Sequence, residues 1–310
     1  MQKQINLSEP LNPSPEREVQ HGFESGKRSP RLSQRVKSSF FIAAFLTKVV
    51  LFVSQAPVLE QVSNRYVNYI TPMAWVSAVP WGLSHLLMTG FLGWHTRFEG
   101  PYVSYVRSSF HKMVWLDIAW TLFARFELLC AASVVGMYTC YLLLKMVTKR
   151  PSRNILEQSL VAVPNTGPFA TVQFEEKRQN AVKRQKAAVW REYLNIHLPV
   201  SIHAAWTAVT ALDTANSWLV GYGATRETRY WSALLSLLAL GLHSNFRLLR
   251  HRDHPYALSC AALAASICFK DQLRIAELDV QRSLVLTGLA GYIGFELTSM
   301  MVLQKLKLLQ

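Results

Sequence analysis

Pro199, His203, Trp206, Thr210, Asp213 and Ser217 follow one another at intervals of three and four residues, so on a helix they line a single face. An imidazole, an indole, two hydroxyls and a carboxylate along one stripe are the parts of a ligand site or of an acid–base device. The same spacing joins Trp81 to His85, Asp117 to Trp120, and Tyr292 to Glu296 and Ser299. All of these lie in apolar stretches, where an ionisable side chain facing lipid would be expensive. They are therefore expected to face the protein interior or a wet cavity. Candidate ligand-binding residues are Trp81, His85, Asp117, Trp120, His203, Trp206, Asp213 and Glu296. The indoles would supply apolar area and the other groups would orient polar atoms. Asp117 and Asp213 are the candidate catalytic residues, because desolvation favours the neutral acid and makes a buried carboxyl a proton donor. Lys48 lies nearly level with Asp117 and is expected to pair with it. Asp213 has no basic residue at its depth and is expected to be unpaired. Against these roles stands the bland one, in which His85 and His203 bond to backbone or hydroxyl groups as glue between helices.

The elements that must position these residues are long apolar helices. Half of the 310 residues are hydrophobic, clustered into stretches near the 20 or so residues that a spanning helix needs. The expected fold is all-α, a polytopic bundle of about eight spans near Ser39–Leu59, Thr71–Gly93, Ser108–Ala124, Leu128–Met146, Leu198–Val220, Tyr230–Leu248, Tyr256–Phe269 and Ser283–Leu303. The seventh is short enough to be a re-entrant segment. Residues 1–38 carry Pro10, Pro13, Pro15 and Pro30 among polar residues and read as a disordered basic tail. Residues 39–146 hold spans 1–4 and residues 198–310 hold spans 5–8. Between them lies a polybasic segment, 147–197, with a loop-like start and a charged, helical part from Gln173 to His197.

There are 33 Lys+Arg against 19 Asp+Glu, a balance that invites a nucleic-acid reading. Distribution decides. With the amino terminus inside, 25 basic residues fall on the cytoplasmic side, seven outside, and Lys48 within a span. That is the positive-inside pattern, which places both termini in the cytoplasm and leaves little support for a nucleic-acid partner. The segment 147–197 could also meet anionic lipid head groups. Span 1 reads as an uncleaved signal-anchor, and Glu9, Glu16, Glu18 and Glu24 argue against a transit peptide. The endomembrane system or the plasma membrane is the expected location.

Cys130, Cys140, Cys260 and Cys268 lie in apolar runs without CxxC or His/Cys ligand spacing, so no disulfide framework and no metal site is expected. His85 with His203 is the one histidine pair at matching depth for bis-histidine haem. The sequence names no cofactor.

Pro80-Trp81-Gly82-Leu83, Asp117-Ile118-Ala119-Trp120 and Leu198-Pro199-Val200-Ser201-Ile202, followed by Trp206, resemble the translocator protein/tryptophan-rich sensory protein family. That family carries Trp-Gly-Leu-x-Tyr, Asn-Leu-Ala-Trp and Leu-Pro-Phe-Ser-x-Tyr-x-x-Trp spans in this order. The turn Arg250-His251-Arg252-Asp253 fits its later polar turn. The resemblance runs from about Trp75 to Asp271. It implies a helical bundle with an internal pocket for an apolar or tetrapyrrole-like small molecule. Trp81, Trp120 and Trp206 keep the family's aromatic positions. His85 and His203 stand where it favours Tyr, Asp117 where it favours Asn, and Asp213-Thr214 where it favours Ala-Asn.

The leading functional expectation is a membrane protein that binds, or helps move, a hydrophobic small molecule in an aromatic-polar pocket. The alternative is a membrane-embedded acid–base enzyme of the cyclase or isomerase type, using an intramembrane Asp on a lipid-soluble substrate. No phosphate-cradling glycine loop or nucleophile elbow is present to point to another class.

Overall fold

The computed structural model describes residues 32–66, 68–72, 74–94, 101–148, 183, 187, 190–268 and 280–306. Contacts divide the chain into Met1–Phe40 and Phe41–Gln310, and the side chains of the cluster and of the turns all belong to the second unit. The expected tail lies outside the described residues up to residue 31, and so does most of the 147–197 segment.

Among the described residues there are eight α-helices, each where a span is expected: α1 (Leu32–Arg65), α2 (Ala74–Trp94), α3 (Pro101–Arg125), α4 (Leu129–Thr148), α5 (Leu198–Gly221), α6 (Arg226–His251), α7 (His254–Cys268) and α8 (Val280–Lys305). A π-helical turn, Tyr193–His197, runs directly into α5. Four helices are long and apolar enough to cross a membrane: α1 through Ile42–Val62, α4, α6 and α8. Val76–Leu92 of α2 and the whole of α7 are apolar but shorter. At 15 residues, α7 extends only about 22 Å, less than the hydrocarbon thickness of about 30 Å.

α3 and α5 fall in neither group, and they carry Asp117, His203 and Asp213. Their placement explains how that polarity is tolerated. α5 packs on α2, α4, α6 and α7, and most of its residues are buried. α4 lies closest against it: a Cβ added at Gly136 would stand 2.8 Å from the Ala211 Cβ. Small residues let two backbones approach in this way where no hydrophobic drive exists between helices. α6 shows the inside-out pattern that lipid demands. Leu235, Leu242, Phe246 and Leu249 are exposed, while Ser236, Gly241, Ser244 and Arg247 are buried.

The turns are fastened by side chains. Thr225 caps α6 by accepting from the Thr228 backbone N–H at 3.2 Å. Between α6 and α7 the chain passes through Arg252 in the left-handed region (φ 52°). Asp253 there takes a buried ion pair from Arg247 and accepts from the Tyr256 N–H at 3.3 Å. At the other end of the bundle, Glu127 (φ 59°) turns α3 into α4. Its carboxylate holds the end of α1 through Arg65 and the Tyr66 hydroxyl, 2.5 Å away. That hydrogen bond, with some loss of hydration, pushes the Tyr66 phenol above the ordinary tyrosine range.

Candidate functional site

Four helices converge on one buried cluster. α1 offers Phe45, Lys48 and Phe52 on one face. α2 offers Trp81, Ser84 and His85, α3 offers Asp117 and Trp120, and α5 offers His203 and Trp206. The spacings of three, four and seven residues are what bring each helix's members to one side.

The aromatic part is continuous. Phe52 stacks on Trp81 with ring centroids 4.1 Å apart, Trp81 lies 4.3 Å from His85, and Phe45 stacks on His85 at 5.9 Å. His203 stacks on Trp206 at 5.5 Å, and Trp120 meets Trp206 edge-on at 5.7 Å. Phe52 also touches Trp206 edge-on at 5.9 Å, which closes the ring of contacts. His85 and His203 meet edge-to-face at 5.0 Å. Rings in such contact leave no room for a macrocycle between them, so the bis-histidine haem arrangement does not fit.

Polar groups thread this cluster. Asp117 Oδ2 pairs with Lys48 Nζ and accepts from His203 Nε2 at 2.9 Å. Lys48, only 3 % exposed, has Met113 Sδ as a further contact at 3.8 Å. His203 Nδ1 lies 3.3 Å from Ser84 Oγ. His85 Nδ1 donates to the Trp81 carbonyl at 2.7 Å. Trp206 Nε1 donates to Ser77 Oγ at 3.2 Å. Two buried ring nitrogens, His85 Nε2 and Trp120 Nε1, have no hydrogen-bond partner.

Six of the eight sequence candidates thus meet here: Trp81, His85, Asp117, Trp120, His203 and Trp206. The expected Lys48–Asp117 pair is present. Asp213 and Glu296 stand elsewhere. Asp213 requires a correction, since it is not unpaired. Its Oδ1 accepts from Asn68 Nδ2 at 2.8 Å and from Thr71 Oγ1 at 2.7 Å. Asn68 also donates to Ser217 Oγ at 2.9 Å. The sequence argument sought a cation and overlooked neutral donors from the α1–α2 connection. Glu296 accepts from Asn245 Nδ2 at 3.1 Å, across the contact between α8 and α6.

Sequence reasoning also passed over Phe45, Phe52 and Ser84. The spacing Phe45-Lys48-Phe52 around the one deep lysine was the available signal for the first two. It passed over the His85–Asp117–His203 set as well. Each of these three buried residues offers a ligand atom, and the three atoms lie within 4.8 Å of one another. Ligand spacing along the chain cannot reveal a set whose members come from three helices.

A family model described as TSPO-like protein matches residues 36–295, most of the chain and all eight helices in whole or in part. The chain belongs to the TSPO-like protein family. No curated protein and no solved structure matches it. With its apolar helices, the family makes this TSPO-like chain a multi-pass membrane protein. The matched region extends the resemblance visible in the motifs at both ends, taking in the α1 stripe that covers the cluster.

Proposed function

We propose that this TSPO-like protein binds, or helps move, a hydrophobic small molecule at the cluster of Trp81, His85, Trp120, His203 and Trp206. The observation that carries the proposal is Trp120 Nε1, a buried indole N–H without a partner inside an otherwise aromatic wall. An orphaned buried donor costs about 1–3 kcal/mol, and an acceptor on an otherwise apolar guest would relieve it. The aromatic faces supply area, and few polar groups in an apolar pocket are the usual recipe for a small-molecule site. Access is from the bilayer, beneath α1. Its Ile42, Leu46, Val50 and Val53 face outward and are exposed, while Phe45, Lys48 and Phe52 cover the cluster.

The acid–base alternative gains nothing from the geometry. Asp117 and Asp213 both serve as hydrogen-bond acceptors, which is the reverse of a free proton donor. Both termini are assigned to the cytoplasm of an endomembrane or plasma-membrane protein on the distribution of basic residues. Anionic lipid head groups are assigned as contacts of the basic segment before α5.

The test begins with mass spectrometry of the purified protein to identify what small molecule accompanies it, followed by binding measurements with that molecule. Trp206→Ala should weaken binding more than Trp231→Ala. Trp231 instead lines an open groove of about 610 Å³ with Leu212, Leu235 and Ala239, none of them in the cluster. Trp120→Phe keeps the ring and removes the donor, and should weaken binding about three- to tenfold. A guest sensitive to Trp231 and indifferent to Trp120 and Trp206 would move the site to the groove. For topology, a cysteine placed at Asn195 or Arg250 should be labelled from the cytoplasmic side. Labelling from outside would reverse the assignment.

A further inference from the structure

We infer that His85, His203 and Asp117 form a binding site for one divalent transition-metal ion of the zinc(II) class, with Lys48 as the resident cation that the metal displaces. The inference does not rest on the small-molecule reading, because it concerns what the protein alone binds.

Three features of the geometry carry it. The three ligand atoms lie within 4.8 Å of one another on three different helices, so they converge on one point instead of lining a surface. His85 presents a lone pair that has no other use. Its Nδ1–H is committed to the Trp81 carbonyl at 2.7 Å, which fixes the tautomer and leaves Nε2 as the bare nitrogen, buried and unpartnered. A histidine held by its other nitrogen on a backbone carbonyl is how metal-ligating imidazoles are oriented. His203 is equipped in the same way. Its Nε2 faces the Asp117 carboxylate at 2.9 Å, and Ser84 Oγ stands 3.3 Å from its Nδ1. Moving the ring proton from Nε2 to Nδ1 gives that proton an acceptor and turns Nε2 into a ligand.

Two imidazoles and one carboxylate suit zinc, and three protein ligands leave a fourth position open. The electrostatics of the site already demand a cation. Asp117 is buried, and the Lys48 ammonium reaches in from α1 to meet the same Oδ2 that faces His203. A divalent ion between the three ligands would take over that neutralising role, and the ammonium would then be repelled. Lys48 and the metal are thus competitors for one carboxylate. This distinguishes a metal site from a structural ion pair, because removing Lys48 should strengthen the former and only weaken the latter.

The experiment uses the full chain in detergent, stripped with a chelator and titrated with zinc(II) against a chromophoric competitor, and separately with cobalt(II). The expected result is one ion per chain, with the visible bands of four-coordinate cobalt. His85→Phe retains the packing against Phe45 and Trp81 and should lower affinity at least about tenfold. His111→Ala, a histidine on α3 outside the cluster, should leave affinity unchanged. Lys48→Met should raise affinity about tenfold, a modest change for removing a like charge at close range. Absence of stoichiometric binding, equal losses in His85→Phe and His111→Ala, or unchanged or weaker binding in a folded Lys48→Met would each overturn the assignment. Should Lys48→Met fail to fold, the comparison of His85→Phe with His111→Ala and the cobalt spectrum decide the matter. A positive metal result with no small-molecule guest, or the reverse, separates this inference from the proposed function.

Discussion

Asp117→Asn would remove the carboxylate that Lys48 meets in the bundle interior, and the structure sets the scale of the damage. Lys48 is 3 % exposed, and its other recorded contact is a thioether sulfur at 3.8 Å, a weak acceptor. Losing one partner of a buried pair typically costs about 3–5 kcal/mol, because the remaining charge stands uncompensated. Scales for a charged residue at the centre of a spanning helix give about 2.5–3.5 kcal/mol, so about 3 kcal/mol is the expected loss. Lys48→Met should cost less, since Asp117 keeps the hydrogen bond from His203. The double variant should recover most of the loss. It buries no charge, the methionine fills the space of the lysine stem, and the new amide oxygen still accepts from His203. The four proteins form a double-mutant cycle, with an expected coupling of about 3 kcal/mol. Reversible unfolding in mixed micelles, followed by tryptophan fluorescence, reads each stability. A double variant no more stable than Asp117→Asn would refute the reasoning, and so would an Asp117→Asn protein as stable as the parent. Either would mean that Lys48 finds water or another anion once its partner is gone.

Three further outcomes are expected. Gly136→Ala would bring a methyl within 2.8 Å of Ala211 Cβ and 3.5 Å of the Trp120 ring; forcing α4 from α5 should lower unfolding stability by about 1–3 kcal/mol and shift the tryptophan emission, and an unchanged melting curve would disprove the close approach. Asp213→Asn keeps an oxygen for Asn68 and Thr71 and should cost about 1 kcal/mol or less, whereas Asp213→Leu orphans both donors and should cost about 1–3 kcal/mol; equal stabilities would show that the contacts to Asn68 and Thr71 contribute nothing. The raised Tyr66 phenol keeps its contact to Glu127 in neutral and mildly basic solution, and that contact is lost as pH rises through its elevated folded-state value. An absorbance titration of the protein minus Tyr66→Phe should therefore show a late-titrating tyrosine that becomes ordinary in Glu127→Gln.

The spans were legible because lipid imposes a pattern that a chain cannot hide. A spanning helix has to be apolar over about 20 residues, and the polar residues within it have to face the interior. α5 shows how far that logic reaches. The stripe from Pro199 to Ser217 identified an inward face, and His203 and Trp206 lie on it, buried. The same logic could not say which helices share a centre. Asp213 and Glu296 lie on polar stripes as good as that of His203, yet their partners are Asn68 and Thr71 in one case and Asn245 in the other. Depth along a helix is readable from residue number. Rotation about its axis and the identity of the neighbour are set by packing.

The hardest feature to read was the role of α1. By composition it is an ordinary apolar span, and it is the least enclosed of the four long ones, with 17 % of its central window buried. Yet it closes the cluster with three long side chains: Phe45 on His85, Lys48 on Asp117 and Phe52 on Trp81. A helix that touches its neighbours mainly through long side chains can move aside at smaller cost than one locked by small residues, as α4 is on α5. The charge on Lys48 then has a specific consequence. Lifting α1 would withdraw the cation that neutralises Asp117, and desolvation penalises an anion left behind. A guest or metal ion entering beneath α1, as proposed, would be selected by its ability to replace that positive charge. The ion pair would thus set the chemical requirement for entry, and the aromatic walls would set the shape.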